Sequence, residues 1–498
     1  MTDHLTPDTP VTRGLPVDLD DATHLIGSSW LPARSKRTID VVDPCDGTVV
    51  ARVPRGDAED VADAVCAASD ALPAWRDLSP SRRAALLFRW ADLVREHEQA
   101  IEELEATEVG RPTGPSPLAG QLVFFAGQAD KVHGSTLPSH TPDVLGMTLR
   151  EPYGVVGVII PWNAPGPMTV FNAAPAMAAG NTVVLKAAED APLTPLYLAK
   201  LALQAGIPPG VLNIVTGYGS EAGPALPAHP DIRRISFTGS PVTGAAVMEA
   251  CARNLTPLHL ELGGKSPQIL LEDADLARAI PQIVRFITLN SGQVCAAGSR
   301  VLVPRALRER VVSELAAGME RVTVGSWRSG PVDMGPLISA RQRDRVLDYL
   351  RIGREEGAEV VTGGAALTEV PYQDGYFVAP TLFDGVQPEM RIAQEEIFGP
   401  VLSVLSYDDE DEAIALSNGT RYGLTSTVWT GDLARAVRFA RRVEAGQVSV
   451  NTFGSGGPFG AIGAPFGGYR HSGFGRSMGA DAVEDWTQVK AVVLNAGS

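Results

Sequence analysis

Between Gly154 and Arg253 the chain alternates short apolar runs with helical ones, and nothing else in it narrows the fold as much. Residues 155–160, 182–186, 212–215 and 235–237 are apolar on both faces, as buried strands are. Residues 168–179, 194–204 and 243–253 repeat their apolar positions at helical spacing. Strands without a polar face, separated by helices, need a parallel sheet covered on both sides. The expected class is α/β with a Rossmann-like layout. Residues 152–185 carry no formal charge and are long enough to span a bilayer. Pro161, Pro165, Pro167 and Pro175 would break a lipid-facing helix, and Asn163, Asn172 and Asn181 would lack partners there. The segment is read as buried protein.

Outside that stretch, residues 58–72 and 81–109 read as helices. A second α/β run follows Glu261, with helices at 275–289, 305–321 and 340–356 and strands at 300–303, 401–406 and 425–428. The Gly- and Pro-rich reach 454–475 is too long for an ordinary connection and is expected to be functional or disordered. A length of 498 residues suits about two to four domains. The formal charge of −16 repels phosphate backbones and anionic lipid, so neither nucleic acid nor a membrane surface is expected as a partner. Cys45, Cys66, Cys251 and Cys295 form neither a disulfide framework nor a CxxC metal site. With no basic and apolar leader at the start, a reducing cytoplasm is the expected compartment.

Several segments carry chemistry. Gly217-Tyr218-Gly219-Ser220-Glu221-Ala222-Gly223 follows a strand and opens a helix, but its last spacing is one residue longer than the dinucleotide fingerprint. Phe237-Thr238-Gly239-Ser240 offers a helix N-terminus to an anion, or a plain N-cap serine. Pro161-Trp162-Asn163-Ala164-Pro165 puts a polar amide right after a buried strand. Glu261-Leu262-Gly263-Gly264-Lys265 puts a carboxylate at a strand end, and Val294-Cys295-Ala296 puts a thiol among small residues. Taken singly, these residues read equally as a turn former, a surface charge and an inert buried thiol.

Together these segments resemble the signatures of the NAD(P)-dependent aldehyde dehydrogenase superfamily from about residue 30 to the C-terminus. So do Lys186-Ala187-Ala188-Glu189, Glu395-Glu396-Ile397-Phe398-Gly399-Pro400 and the run from Pro465 to Arg476. The resemblance implies a Rossmann-type NAD domain (1–133 and 154–263), an α/β catalytic domain (264–480) and a small β oligomerisation arm (134–153 and 481–498). It also implies a homodimer or homotetramer. Cys295 becomes the nucleophile, forming a thiohemiacetal and then a thioester. Asn163 and the Cys295 backbone N–H become donors to the oxyanion, and Glu261 the general base on the hydrolytic water. That glutamate argues against the CoA-acylating branch of the family.

For the cofactor, the resemblance assigns Lys186 and Glu189 to the adenosine ribose, which favours NAD over NADP while leaving NADP as a weaker alternative. Gly219, Gly223, Gly239 and Ser240 fall near the adenosine and pyrophosphate. Glu396 and Phe398 fall at the nicotinamide ribose, and Ile160, Trp162 and Leu262 are expected to bind the cofactor as well. The tunnel is expected to be lined by Ala164, Phe171, Val294, Ala296, Phe453 and Phe459, with no Arg or Lys from 161 to 172. That composition suits a neutral, medium-sized or ring-bearing aldehyde. Two other readings stay open: a cysteine-dependent ester or thioester hydrolase, and a non-catalytic structural member of the superfamily. Where many relatives carry a Lys and a Glu that pair to move the general base's proton, this chain has Asn172 and Ser477. Water held by those two, or bulk solvent, is then the expected exit for the Glu261 proton.

Overall fold

The computed structural model describes residues 15–19, 23–452, 462–495 and 497. The apolar runs read above form the middle of an eight-stranded sheet. Val155–Ile159, Thr182–Lys186, Leu212–Val215, Arg234–Gly239 and Leu258–Leu262 all run parallel there. Val155 through Ile159 and Thr182 through Lys186 are buried at every position. Helices Pro165–Ala179 and Leu193–Gln204 cover one face, and Ala58–Arg76, Ala222–Ala228 and Pro241–Asn254 cover the other. Two additions come from far away in sequence. The strand His24–Ile26 pairs antiparallel with Leu212–Val215, and Gly473–Phe474 pairs antiparallel with Leu260 and Glu261.

The second run builds a seven-stranded sheet, in which Pro267–Leu270 lies between Arg300–Pro304 and Thr425–Trp429. Glu359–Thr362 at one edge is its antiparallel member. Helices Leu276–Thr288 and Arg308–Glu320 pack on one face, and Ala340–Glu355, Glu410–Asn418 and Leu433–Arg442 on the other. A three-stranded sheet joins Thr487–Asn495 to Val144–Pro152 and Thr136–Leu137.

Boundaries differ from the periodicity in instructive places. Residues 81–109 form two helices, Pro80–Glu96 and Glu98–Val109, because His97 leaves helical geometry. Its ring meets the Tyr197 hydroxyl at 2.9 Å, a contact no local pattern reports. The helix expected from 168 starts at Pro165, since proline at the first helical position forfeits no hydrogen bond. Among the described residues no helix is long and apolar enough to cross a membrane.

Candidate active site

Parallel strands end with their carboxyl edges aligned, and ligands of such sheets bind in the crevice beyond those edges. Here the strand ends deliver Ile160, Lys186, Gly239 and Leu262 to one cleft of about 1440 Å³. The second sheet supplies the opposite wall through the helix Ala340–Glu355 and the segment holding Glu396 and Phe398. Trp162, Asn163, Glu189, Gly219, Gly223, Ser240, Glu261 and Cys295 line the same space. Side chains spread over more than two hundred positions thus converge on one site.

At one end the polar groups are paired. Lys186 Nζ lies 3.2 Å from Glu189 Oε2, and the Gly219 N–H donates to that same oxygen at 3.2 Å. Burial pushes the Glu189 carboxyl up, but Lys186 and these N–H donors outweigh it, so it stays charged below the ordinary range. The Ser240 hydroxyl accepts from Thr243 N–H at 3.2 Å and caps the helix Pro241–Asn254. Gly217 turns out to be a packing glycine. Its φ is +151°, and a Cβ there would lie 2.7 Å from the Gly56 carbonyl oxygen. The glycine-rich loop therefore touches the site through Gly219 and Gly223, with Gly217 behind it.

Midway, the rings of Trp162 and Phe398 meet edge to face at 5.4 Å. Glu396 Oε1 accepts from Gly264 N–H at 3.0 Å, and burial raises its carboxyl to about 7. A Cβ on Gly263 would lie 2.1 Å from Glu396 Oε2, so only glycine leaves room for that carboxyl. Next to it, Lys265 is fully buried with no partner for Nζ among the described residues, and burial lowers its ammonium to about 7.

The thiol end is less settled electrically. Burial first, then the Glu396 and Glu261 carboxylates, push the Cys295 thiol up to about 12, while the N–H groups of Ala296 and Cys295 pull the other way. The resting sulfur is a thiol and needs a base to become a nucleophile. Asn163 Nδ2 donates to the Gln293 carbonyl at 2.8 Å, and Asn290 Nδ2 donates to the Asn163 carbonyl at 2.8 Å. An amide nitrogen has two hydrogens, so one donor of Asn163 remains for a ligand. Glu261 is buried, and burial raises its carboxyl well above the ordinary range. Its Oε1 lies 3.0 Å from His259 Nε2, while Oε2 is buried without a partner among the described residues. A nucleophilic thiol, a free carboxyl oxygen and an oriented amide suit addition to a carbonyl followed by attack of water.

Of the expected tunnel residues, Val294 and Ala296 join Phe286, Leu289, Leu424 and Phe466 in an apolar cluster around Cys295. Phe171 is buried in the main core, and none of Ala164, Phe171, Val294 and Ala296 lines the cleft, which Cys295 reaches alone from that cluster. Phe453 and Phe459 lie outside the described residues. On the expected water path through Asn172 and Ser477, one amide hydrogen and the amide oxygen of Asn172 are engaged within the protein. Asn172 Nδ2 donates to the Met168 carbonyl at 2.8 Å, and its Oδ1 accepts from the Ser236 hydroxyl at 2.7 Å. The Ser477 backbone is paired with Phe466. Residues absent from the motif reading are His259, which contacts Glu261, and Gln293 and Asn290, which orient Asn163. The His-x-Glu spacing on one strand was the only local signal for the first.

Residues 30–492 match the model of the aldehyde dehydrogenase family. The chain is 43% identical to the phenylacetaldehyde dehydrogenase of Pseudomonas fluorescens, covering 94% of this chain and 95% of that protein. It is 40% identical to the hydroxyisobutyraldehyde dehydrogenase of Mycolicibacterium austroafricanum, covering 97% of each. The NAD+ complex structure of an aldehyde dehydrogenase from Bacillus cereus superposes with a TM-score of 0.92 at 40% identity, over 95% of this chain and 96% of that one.

Proposed function

The chain belongs to the aldehyde dehydrogenase family, and on that premise we infer that it oxidises an aldehyde to its carboxylate with NAD. The observation that carries this reading is the convergence of Cys295, Asn163, Glu261 and Glu396 on one cleft at the carboxyl edge of a parallel sheet. The residues present fit the dinucleotide. The charged Glu189 can accept from ribose hydroxyls, and a Cβ at Gly223 would meet nothing within 4 Å, so a ligand can approach the backbone there. Lys186 and Glu189 would hold the adenosine ribose, with Gly219, Gly223, Gly239 and Ser240 beside the pyrophosphate. Ile160, Trp162, Leu262, Glu396 and Phe398 would surround the nicotinamide end. NAD, when bound, supplies the acceptor for the hydride that leaves the aldehyde carbon. The carboxylate of Glu189 repels a 2′-phosphate, so NADP is the weaker cofactor.

The Cys295 thiol gives its proton to a base, Glu261 or a water of the cleft, its sulfur bonds to the aldehyde carbon, and the resulting oxyanion is held by Asn163 Nδ2 and the Cys295 N–H; such a donor lowers the barrier by roughly 3–4 kcal/mol. In deacylation Glu261 removes a proton from water, whose oxygen bonds to the thioester carbon as the C–S bond breaks. The unpartnered Oε2 supports that role for Glu261, since it has no competing hydrogen bond to give up. The test is NADH formation from aldehyde and NAD, lost in Cys295→Ser. A hydrolase without redox activity would split an ester and make no NADH.

For the substrate, the apolar cluster of Phe286, Leu424 and Phe466 about Val294 and Ala296 supports a neutral, medium-sized or ring-bearing aldehyde. A kcat/KM panel of acetaldehyde, hexanal, benzaldehyde and succinic semialdehyde tests it; preference for the first or last rejects it. The division into 1–133 plus 154–263, 264–480, and 134–153 plus 481–498 follows the three larger sheets, with Gly473–Phe474 crossing from the second stretch into the first sheet. In the smallest of these sheets Thr487–Asn495 is an edge strand exposing Val489, Val493 and Leu494, a surface suited to a second copy. A homodimer or homotetramer is the expected assembly, read by light scattering. Four free cysteines suit a reducing cytoplasm, which cell fractionation would test.

A further inference from the structure

A buried carboxyl that must act as a base needs somewhere to put its resting proton. Asn172 and Ser477 do not offer that place, since the amide of Asn172 is engaged at both ends and is neutral. The ionisable side chain that Glu261 does touch is His259. The two alternate along the strand Leu258–Leu262, so they share one face of the sheet, and Nε2 lies 3.0 Å from Oε1. On the far side of the ring, Nδ1 lies 3.9 Å from Asp485 Oδ2. That oxygen also accepts from Arg234 Nη2 at 2.5 Å. Asp485 closes the short helix Asp481–Asp485, which the chain folds back against the strand from over two hundred residues away.

The charged groups around the pair are few and can be named. His259 faces Glu261 on its own strand, Arg234 on the neighbouring strand, Arg476 from the C-terminal loop, and Asp485. Glu261 faces His259, Arg476, Asp485 and Cys295. Taken singly, each member of the pair prefers to be neutral. Burial, with Arg234 and Arg476, lowers His259 to about 3, and burial raises Glu261. Both shifts keep the resting proton on Glu261, and the 3.0 Å contact makes Nε2 its nearest ionisable acceptor once the carboxyl must give that proton up. Asp485, anchored by Arg234, places a carboxylate 3.9 Å from Nδ1, where its charge favours a proton on that side of the ring and leaves Nε2 to face Glu261.

We propose that His259, oriented by Asp485, is a positioning residue that takes the resting proton of Glu261 at Nε2 and so leaves the Glu261 carboxylate ready for water. The proposal rests on Glu261 being the deacylation base. The proton on Oε1 moves to Nε2, giving an imidazolium between two carboxylates. Oε2 then removes a proton from water, the hydroxide oxygen bonds to the thioester carbon, and the C–S bond breaks. The proton on Oε2 passes to the departing Cys295 sulfur, which restores the thiol. The carboxylic acid product ionises in solvent, and Nε2 returns its proton to Oε1. Every proton is accounted for, and no further reactant is needed.

The test is the pH profile of kcat and of single-turnover deacylation, measured on the full-length enzyme with NAD and benzaldehyde. His259→Gln forces Glu261 to lose its proton to solvent, so the acid limb should move up by about one pH unit. Activity at pH 7 should fall about tenfold and return at high pH, with aldehyde KM and NAD Kd unchanged. Asp485→Asn keeps an acceptor for Arg234 and removes the charge, so its limb should move in the same direction by a smaller amount. A merely structural histidine would lower kcat equally at every pH. Acid limbs in both variants that superimpose on the unsubstituted enzyme overturn the proposal, and if His259→Gln does not fold, Asp485→Asn decides alone. Glu261→Gln serves as the control. If that variant deacylates normally, the assignment of the base has failed, and this is a different result from unmoved limbs in an enzyme that needs Glu261.

Discussion

The two ends of the cleft solve opposite problems with similar residues. At the adenosine end a lysine and a carboxylate, Lys186 and Glu189, lie 3.2 Å apart, and the Gly219 N–H completes the carboxylate's contacts. At the thiol end the carboxylates have fewer polar contacts: burial raises Glu261 and Glu396, Oε2 of Glu261 has no partner, and the Cys295 thiol sits near 12. Paired charges make a stable ligand cradle, because nothing is gained by changing their protonation. Carboxyls whose contacts are a neutral imidazole or a single N–H, as at Glu261 and Glu396, are poised to exchange protons, which is what attack and deacylation require. The electrostatic cost is concentrated where the chemistry happens.

Substitutions at the two ends should therefore differ in kind, and the largest effect belongs to the sulfur. Cys295→Ser should abolish NADH formation while NAD binding, followed by fluorescence titration, stays within about twofold, because the paired end is untouched. Cys251→Ala is the matched control. Cys251 is packed beneath the first sheet in an apolar cluster, and its loss should leave kcat near that of the unsubstituted enzyme.

Glu261→Gln should lower kcat by about 10²- to 10⁴-fold, the range for a lost general base, while a rapid burst of NADH survives if acylation does not need it. The same variant reports the cost of the buried carboxyl. A carboxyl whose folded pKa is raised binds its proton more tightly in the folded state, so stability is lost as pH rises from the unfolded value toward the folded one. Glu261→Gln should therefore melt higher than the unsubstituted protein by roughly 1–4 °C at pH 8. The gap should close toward pH 4, where both side chains are neutral. Melting curves that stay parallel at all pH values would remove the claim of a destabilised carboxyl.

Asn163→Ala should cost about 10²- to 10³-fold in kcat with a small change in KM, as for a donor that acts mainly on the oxyanion. A KM effect alone would make Asn163 a ground-state contact. The smallest change is expected at the paired end. Glu189→Gln removes the charge that excludes a 2′-phosphate, so NADP should improve about tenfold relative to NAD in kcat/KM with kcat itself little altered. An unchanged cofactor ratio would show that the Lys186–Glu189 pair does not read the ribose.

Much of this was legible along the chain. The buried strands 155–160, 182–186 and 212–215 follow from apolar runs, because burial on both faces leaves no polar period to misread, whereas the terminal strand within 487–494 is mostly exposed and follows from its run of β-branched residues. Residues such as Cys295, Glu261, Asn163 and Glu396 stand in short motifs whose chemistry is carried by residue type and immediate neighbours. Thr381–Asp384 escapes the pattern because it is short, and Glu410–Asn418 and Leu433–Arg442 because a hydrophobic face is mixed with many charges. The tunnel residues divide similarly: Val294 and Ala296 flank the thiol by adjacency, whereas Phe171 went into the core because helix Pro165–Ala179 turns that face inward.

By itself the sequence determined the parallel sheet and the succession of its elements, and its motifs proposed the reacting side chains. All of these depend on periodicity or on contiguous residues. Only the tertiary structure decided which polar groups would be left without partners and which would be satisfied. Asn172 lost its expected part in proton transfer to Ser236, which lies sixty-four residues away. Gly473–Phe474 came to pair with the strand that bears Glu261, and Asp485 and Arg234 closed around His259 from separations of over two hundred and of twenty-five residues. The protonation of a buried carboxyl depends on the dielectric and the charges within a few ångströms of it, and a linear pattern does not specify those neighbours until the chain has folded.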